Sequence, residues 1–125
     1  GALGGILENT VRTMCECGAS PSNIVAGLGP VIGPRSYEVG PEFRETFLDS
    51  SAENLQFFSA TGHSGYHLFD LPSYIQHRIK LIGIKAFSSL GRDTYQDKEQ
   101  FFSYRRACHQ NEPDYGRLLS AIALR

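Results

Sequence analysis

Residues 24–40 read IVAGLGPVIGPRSYEVG and carry the densest structural signal in the chain. The apolar run at residues 24–28 predicts a short strand that is buried on both faces. Two Gly-Pro steps follow within residues 29–34 and predict a rigid, irregular loop. Residues 36–39 alternate in the manner of a second strand. Such a loop lets a ligand approach the backbone closely, but a tight crossover between a strand and a helix explains the same residues.

Helical patterns lie on both sides of this stretch. Apolar residues recur at three- and four-residue spacing from about residue 2, which predicts a helix that ends at Gly18. Pro41 suits the first position of a second helix, and Asp70 is expected to cap a third over residues 71–82. Further strands are predicted at residues 55–59, 66–69, 84–87, 101–106 and 118–124. The pattern indicates a mixed α/β or α+β fold.

Composition limits the classes of protein that this chain can belong to. Its 125 residues suit a single domain, and a hydrophobic share of 41% excludes a disordered polyampholyte. Twelve Lys and Arg against thirteen Asp and Glu give a net charge of -1. A protein that binds nucleic acid through its phosphates normally has a clear basic excess, so no nucleic-acid partner is expected. No apolar run is long enough for a membrane span, so no membrane partner is expected either.

The cysteines and histidines show no pattern typical of a metal site or a disulfide framework. The three cysteines are Cys15, Cys17 and Cys108, an odd number that favours reduced thiols and a cytoplasmic location. The four histidines are His63, His67, His77 and His109. They form no H-x-x-x-H pair on a predicted helix, and a lone histidine is more often a surface or hydrogen-bonded residue than a ligand.

The segment Phe101–Arg106, FFSYRR, is the second candidate for a functional site. In a strand, Ser103 and Arg105 would share one face, where a hydroxyl beside a guanidinium suits phosphate or carboxylate. A one-residue change of register would give the role to Arg106. An edge strand with one aromatic face and solvated arginines explains the pattern equally well.

Together these segments resemble one family, the laccase-domain or YfiH-type proteins, which are also called multicopper polyphenol oxidases. The resemblance covers essentially the whole chain and follows the family's order of motifs. The matching segments are residues 28–34 (LGPVIGP), 37–40 (YEVG), 69–71 (FDL), 101–106 (FFSYRR), 114–117 (DYGR) and 120–124 (SAIAL). At Asp93 the sequence departs from the family, because many relatives have a cysteine there.

The resemblance implies an α+β fold, a mixed α/β sandwich of the YfiH-like type that is incomplete in this chain. Residues 1–125 would be the carboxyl-terminal portion of a single laccase-like domain. The family's zinc or copper site uses two histidines and one cysteine, with the last histidine in an H-A-G-W-R-G motif. The opening residues 1–6, GALGGI, resemble the end of that motif and the helix after it. All three ligands would therefore precede residue 1, and no metal is expected to bind this chain alone.

The resemblance also implies an activity. Family members look like cytoplasmic purine nucleoside phosphorylases, transferases that act on adenosine, inosine and methylthioadenosine and also deaminate adenosine. Their partners are a purine nucleoside and phosphate, and the residues carried over to substrate binding are Gly29, Pro30, Ser103 and Arg105 or Arg106. The resemblance assigns no catalytic residue to this chain. An inert fragment or binding module is the second hypothesis, and a copper-dependent polyphenol oxidase is the third.

A cut through one domain would leave sheet edges and apolar surface uncovered. The chain is therefore expected to self-associate or to pair with an amino-terminal half.

Overall fold

A computed structural model describes residues 1–123 and shows an α+β fold. The helices are α1 (Ile6–Glu16), α2 (Pro41–Ser50), α3 (Leu71–Ile82) and α4 (Tyr104–His109). The strands are β1 (Val25–Leu28), β2 (Glu38–Val39), β3 (Phe58–Ala60), β4 (His67–Phe69) and β5 (Ala86–Ser89). Two 3-10 helices, Pro21–Asn23 and Ala52–Phe57, precede β1 and β3.

The strands form two small sheets, one parallel and one antiparallel. Strand β1 pairs with β5 in parallel, so that Val25 lies opposite Ala86. Strand β4 lies between β2 and β3 and is antiparallel to both. Along the chain, the Gly-Pro loop connects β1 of the first sheet to β2 of the second.

An aromatic core fills the space beside the antiparallel sheet. Phe69 and Tyr74 are completely buried, and the Phe47 ring lies 4.8 Å from that of Phe69 and 5.0 Å from that of Tyr74. Phe43 stacks on Phe47 at 4.8 Å. Aromatic pairs of this geometry add to the hydrophobic gain of burial, so this cluster is the main stabilising unit of the second sheet.

A second, aliphatic core lies under the parallel sheet, and α3 contributes to both cores. Its residue Tyr74 enters the aromatic core, whereas Ile79 packs with Val11 of α1 and with Ile84. Arg78 of α3 also bonds to the Glu8 carboxylate of α1, with Nε 2.6 Å from Oε1. An acidic residue on the neighbouring helix thus draws the Arg78 side chain away from water.

The helices follow the local sequence signals closely. Helix α3 has the predicted bounds, the Asp70 carboxylate accepts a hydrogen bond from the Ser73 N–H at 3.0 Å, and Gly83 ends the helix at φ 94°. Pro41 occupies the first turn of α2. Helix α1 begins at Ile6 rather than at residue 2, after a turn over residues 2–5.

Several strand predictions differ from the structure; β5, for example, begins at Ala86, two residues after the predicted start at residue 84. Val25 is 75% exposed, so β1 is not buried on both faces. Most of residues 55–59 belong to the 3-10 helix, because the Asn54 side chain donates to the Phe47 carbonyl and curls the chain back onto α2. Residues 101–106 enter α4 instead of a strand, because Ser103 caps that helix. Residues 118–123 form no strand, and Leu124 lies outside the described residues.

The parallel sheet is open on one face. Ala26 and Phe87 pack on the aliphatic core, while Val25 and, just beyond β5, Leu90 are 75% and 69% exposed. Parallel sheets are normally covered on both faces. Within residues 1–123, no helix is both long and apolar enough to cross a membrane.

Replacing Asp70 tests the cap on which α3 depends. We expect Asp70→Ala to lower the free energy of unfolding by about 0.5–2 kcal/mol, because the N–H of Ser73 loses its acceptor. Urea-induced unfolding of both proteins measures the difference. The matched control is Asp49→Ala, since Asp49 is an exposed carboxylate near the end of α2. Equal losses in the two variants would contradict a capping role.

Candidate functional site

One cavity brings together residues from distant parts of the sequence. It has a volume of about 560 Å³, within the usual range for small-molecule sites. Pro30, Ser103 and Arg105 all line it, although some seventy residues separate the first from the others. Gly29, the residue before Pro30, was also predicted for the site but is not among the lining residues; an added Cβ there would sit 3.4 Å from the Ser120 hydroxyl oxygen. The remaining lining residues are Val31, Ile32, Tyr37, Thr94, Phe102, Tyr104, Tyr115, Gly116, Arg117 and Leu118.

The Arg105 guanidinium is held in a fixed position on the cavity wall. Its Nη1 donates to the Glu38 carbonyl oxygen at 2.5 Å, and its Cζ lies 5.2 Å from the centre of the Tyr37 ring. One hydrogen bond leaves most of the five guanidinium N–H groups available. Arg105 can therefore bind a second anionic or polar group without giving up its position.

Ser103 lies immediately before α4 and has a structural role as well. Its hydroxyl oxygen accepts a hydrogen bond from the Arg106 N–H at 3.3 Å. The hydroxyl proton is still available for donation, because a hydroxyl can donate and accept at the same time. Both members of the predicted pair thus line the cavity, but a helix start places them there rather than a strand face.

Arg106 has different surroundings from Arg105. Its Nη1 donates to the carbonyl oxygens of Thr94 and Tyr95 at 2.7 and 2.8 Å, and its Nη2 donates to that of Phe101 at 2.5 Å. It lines a neighbouring cavity of about 300 Å³ that also contains Ser103. These bonds tie α4 to the segment before it, so the geometry favours Arg105 over Arg106 as the ligand-binding arginine.

The Gly-Pro loop is fastened to the segment that follows β5. Pro30 has no N–H to donate, and the pairing of the two segments is interrupted there. It resumes where Val31 bridges Asp93, with a register shifted by one residue relative to that of β1 and β5. The Asp93 carboxylate accepts hydrogen bonds from the Ser36 hydroxyl at 2.6 Å and the Tyr95 N–H at 2.8 Å. A Cβ at Gly33 would lie 2.4 Å from Asp93 Oδ2, so only glycine fits there.

These bonds determine the charge of Asp93. Partial burial opposes ionisation, but the hydrogen bonds from the Ser36 hydroxyl and from the N–H groups of Gly33, Tyr95 and Gln96 outweigh it and lower the pKa of Asp93. Asp93 is therefore an anion at neutral pH. Its oxygens are turned towards the loop, where they hold the cavity wall in place.

Aromatic side chains also line the cavity, although the sequence pattern predicted no functional role for these rings. The rings of Tyr104 and Tyr115 are 4.8 Å apart, and the Arg117 guanidinium lies 4.6 Å from the centre of Tyr115. Phe102 packs against Gly116 so closely that a Cβ at Gly116 would lie 2.3 Å from its ring. The alternation of aromatic and basic residues in the tail could have indicated this cluster, but the sequence predicted a strand over residues 101–106.

The histidines and cysteines are scattered. His63 contacts Glu38 at 3.3 Å, His109 contacts the Tyr95 hydroxyl at 2.8 Å, and the His77 ring packs on Phe57. All three cysteines are free thiols. Among residues 1–123, no three His, Cys, Asp or Glu side chains are grouped closely enough to hold a metal ion, so these residues do not fit the implied zinc or copper site.

The pKa of Asp93 leads to a pH-dependent prediction. Because the folded-state pKa is lowered, the stabilisation by Asp93 is fully present above its unfolded-state pKa of about 3.9 and is lost as the pH falls through the folded-state value. The difference in unfolding free energy between wild type and Asp93→Asn should therefore shrink below about pH 4. Urea titrations between neutral and acidic pH, with Asp49→Asn as the control, measure it. A constant difference would contradict the ionised role of Asp93.

Comparison with known proteins identifies the family. The family model described as multi-copper polyphenol oxidoreductase laccase matches residues 1–125. A purine nucleoside phosphorylase of Rickettsia conorii is 34% identical over 125 residues, which are 100% of this chain and 51% of that protein. Purine nucleoside phosphorylase YfiH of Escherichia coli K12 is 37% identical over 124 residues, covering 99% of this chain and 47% of its own length.

A solved structure agrees with these sequence matches. The crystal structure of a Neisseria meningitidis protein from the DUF152 family superposes with a TM-score of 0.76 and 31% identity, over 85% of this chain and 42% of that one. This chain thus spans about half the length of the relatives it matches. From the full-length family match and these relatives, the chain belongs to the laccase-domain family of multicopper polyphenol oxidoreductases, together with the YfiH-type proteins.

Proposed function

We propose that this chain supplies the phosphate-binding wall of a purine nucleoside phosphorylase. The observation that carries the proposal is the shared cavity of Pro30, Ser103 and Arg105, with a guanidinium and a hydroxyl on the same wall. The relatives from Rickettsia conorii and Escherichia coli carry that enzyme name. Adenosine, inosine and methylthioadenosine are the proposed nucleosides, and adenosine deamination is a proposed second reaction.

Arg105 has the geometry that phosphate binding requires. The planar guanidinium can present two parallel N–H groups to two phosphate oxygens, which a lysine cannot do. The Glu38 carbonyl and the Tyr37 ring already fix its orientation, so little side-chain entropy is lost on binding. Ser103 can donate its hydroxyl proton to a third oxygen. In phosphorolysis a phosphate oxygen replaces the base at the ribose C1′, and these residues would hold the phosphate for that step.

The complete activity is proposed for a larger protein. Residues 1–125 would form the carboxyl-terminal portion of one laccase-like domain, consistent with the half of each relative that the chain covers. Zinc or copper would be held by residues outside this chain. The odd number of cysteines supports a cytoplasmic location.

Two alternatives follow from the same comparisons. The chain matches about half of the length of its relatives, which favours an inert fragment or a binding module that has no turnover when it is alone. The matching family of multi-copper polyphenol oxidoreductases favours copper-dependent oxidation of polyphenols. Oxygen uptake with a phenol, measured beside phosphate-dependent release of a purine base, separates the oxidase from the phosphorylase.

The open face of the parallel sheet supports a partner. Val25 and Leu90 are exposed apolar residues on or beside strands that pair only with each other within residues 1–123. Covering this surface with more protein would remove it from water and complete the sheet. We propose that it is covered by a second copy when the chain is alone and by the rest of the domain in the complete protein.

Replacing Arg105 tests the phosphate role. In the complete protein, Arg105→Lys should raise the KM for phosphate more than the KM for inosine, because lysine cannot make the forked contact. Loss of one charge-assisted bond costs about 1.5–3 kcal/mol, or roughly tenfold to a hundredfold in kcat/KM. Steady-state kinetics with phosphate and inosine varied separately measure the effect.

Arg106→Lys is the matched control for this experiment. Arg106 donates to three backbone carbonyls, so its replacement should lower the free energy of unfolding while the KM for phosphate changes little. If phosphate binding depends on Arg106 and not on Arg105, the assignment of the wall is wrong. If neither arginine affects phosphorolysis, the segment has no part in phosphate binding.

Self-association of the isolated chain is the second prediction from this proposal. Light scattering should show a dimer or larger species, and Val25→Lys should shift it towards monomer because the charge lies on the open sheet face. Leu81→Lys is the control, since Leu81 is 66% exposed on α3. A compact wild-type monomer at all concentrations would contradict the proposal.

A further inference from the structure

Tyr104 is an aromatic residue with an unused face inside the candidate cavity. Its side chain is 62% exposed although it lines the cavity, and it lies in the first turn of α4 between Ser103 and Arg105. An aromatic ring left open in a small-molecule cavity offers a surface for a flat ligand. No packing role in either core accounts for this ring, since Tyr104 belongs to neither buried cluster.

The neighbouring residues hold the Tyr104 ring in place. The Tyr115 ring lies against it at 4.8 Å with an angle of 60° between the two planes, so the two rings cannot enclose a ligand between parallel faces. Arg117 covers Tyr115 at 4.6 Å, and the tight contact of Phe102 with Gly116 fixes the backbone between them. Tyr115 is therefore a support, and Tyr104 is the ring whose face remains available.

We propose that Tyr104 is the platform on which the purine base of the nucleoside stacks, while Arg105 and Ser103 hold the phosphate beside it. This inference rests on the proposed phosphorylase function and assigns the base to a particular residue. The nucleoside bridges the two subsites: its base contacts Tyr104, and its ribose C1′ faces the phosphate. A purine has two fused rings and overlaps a tyrosine more fully than a pyrimidine does, so purines are preferred.

The charge state of Tyr104 is compatible with this arrangement. Interaction with the Cys108 side chain, then desolvation and the nearby Tyr115 hydroxyl, raise the pKa of the Tyr104 hydroxyl. The phenol therefore stays neutral at physiological pH and adds no negative charge next to a bound phosphate. The Arg105 charge nearby acts in the opposite direction but does not reverse the shift.

The test uses the 125-residue chain itself, with inosine and inorganic phosphate as probes. Saturation-transfer NMR reports which ligand protons touch the protein, and a titration gives the affinity. We expect the H2 and H8 protons of the base to receive more saturation than the ribose protons. Tyr104→Ala should weaken inosine binding about fivefold to a hundredfold, because loss of one stacked aromatic ring costs that much. Phosphate binding, measured by ³¹P NMR, should be the same in Tyr104→Ala as in the wild type.

Two further variants keep the inference falsifiable. Tyr104→Phe retains the ring and should bind inosine like the wild type, whereas a loss equal to that of Tyr104→Ala would show that the hydroxyl acts and would overturn stacking. Tyr66→Ala removes a tyrosine that is 47% exposed elsewhere and should have no effect. Circular dichroism of each variant confirms that the fold is retained, as expected for an exposed position.

The remaining outcomes distinguish a failure of the Tyr104 inference from a failure of the proposed phosphorylase function. If the wild type binds inosine and Tyr104→Ala binds it equally well, the base lies elsewhere, which overturns the platform and leaves the phosphorylase proposal standing. If the wild type binds phosphate but no nucleoside, Tyr104 is not a platform for the base, which overturns the inference and leaves the phosphate-binding wall standing. If uridine binds as tightly as inosine, the preference for purines is overturned.

Discussion

The candidate site depends on the hydrogen bonds that the Asp93 carboxylate accepts. This carboxylate accepts hydrogen bonds from the Ser36 hydroxyl and from backbone N–H groups on both sides of the contact, and it thereby holds the Gly-Pro loop against the segment after β5. Because a carboxylate accepts several bonds at once, one side chain replaces the sheet pairing that Pro30 interrupts. Thr94, which follows Asp93, then lines the cavity together with Pro30.

The same segment connects this loop to α4. The carbonyl oxygens of Thr94 and Tyr95 accept hydrogen bonds from Arg106, so the position of Asp93 also sets the position of the helix that carries Arg105. Consecutive residues on a helix point about 100° apart. This rotation gives the two adjacent arginines separate tasks: Arg106 fastens the helix to the loop, and Arg105 faces the cavity.

Helix α3 joins the two halves of the fold in a similar way. Tyr74 belongs to the aromatic core and Ile79 to the aliphatic core, so one helix stabilises both sheets. The antiparallel sheet is well packed by this arrangement, whereas the parallel sheet keeps one uncovered face with Val25 exposed. The candidate cavity contacts the aromatic core through Tyr37, which packs against that core and also lines the cavity.

The sequence by itself determined the elements whose signals are local. Helix α3 was predicted with its observed bounds because Asp70 and Gly83 act on backbone groups within one turn of themselves. The family and the α+β class were also accessible from the motifs. Strand β4 was predicted nearly as observed, at residues 66–69, because aromatic and apolar residues follow one another there.

Only the tertiary structure decided the features that depend on distant partners. The burial of a strand depends on what covers it, so residues 24–28 could not reveal that Val25 is exposed. The segment FFSYRR alternates like a strand, yet it leads into a helix, and Arg106 of that helix finds two of its acceptors in residues 94 and 95. The choice between Arg105 and Arg106, and the cluster of Tyr104 with Tyr115, likewise follow from contacts between separate segments. Sequence periodicity does not encode such contacts, because it records which face of an element is apolar and not which neighbour that face meets.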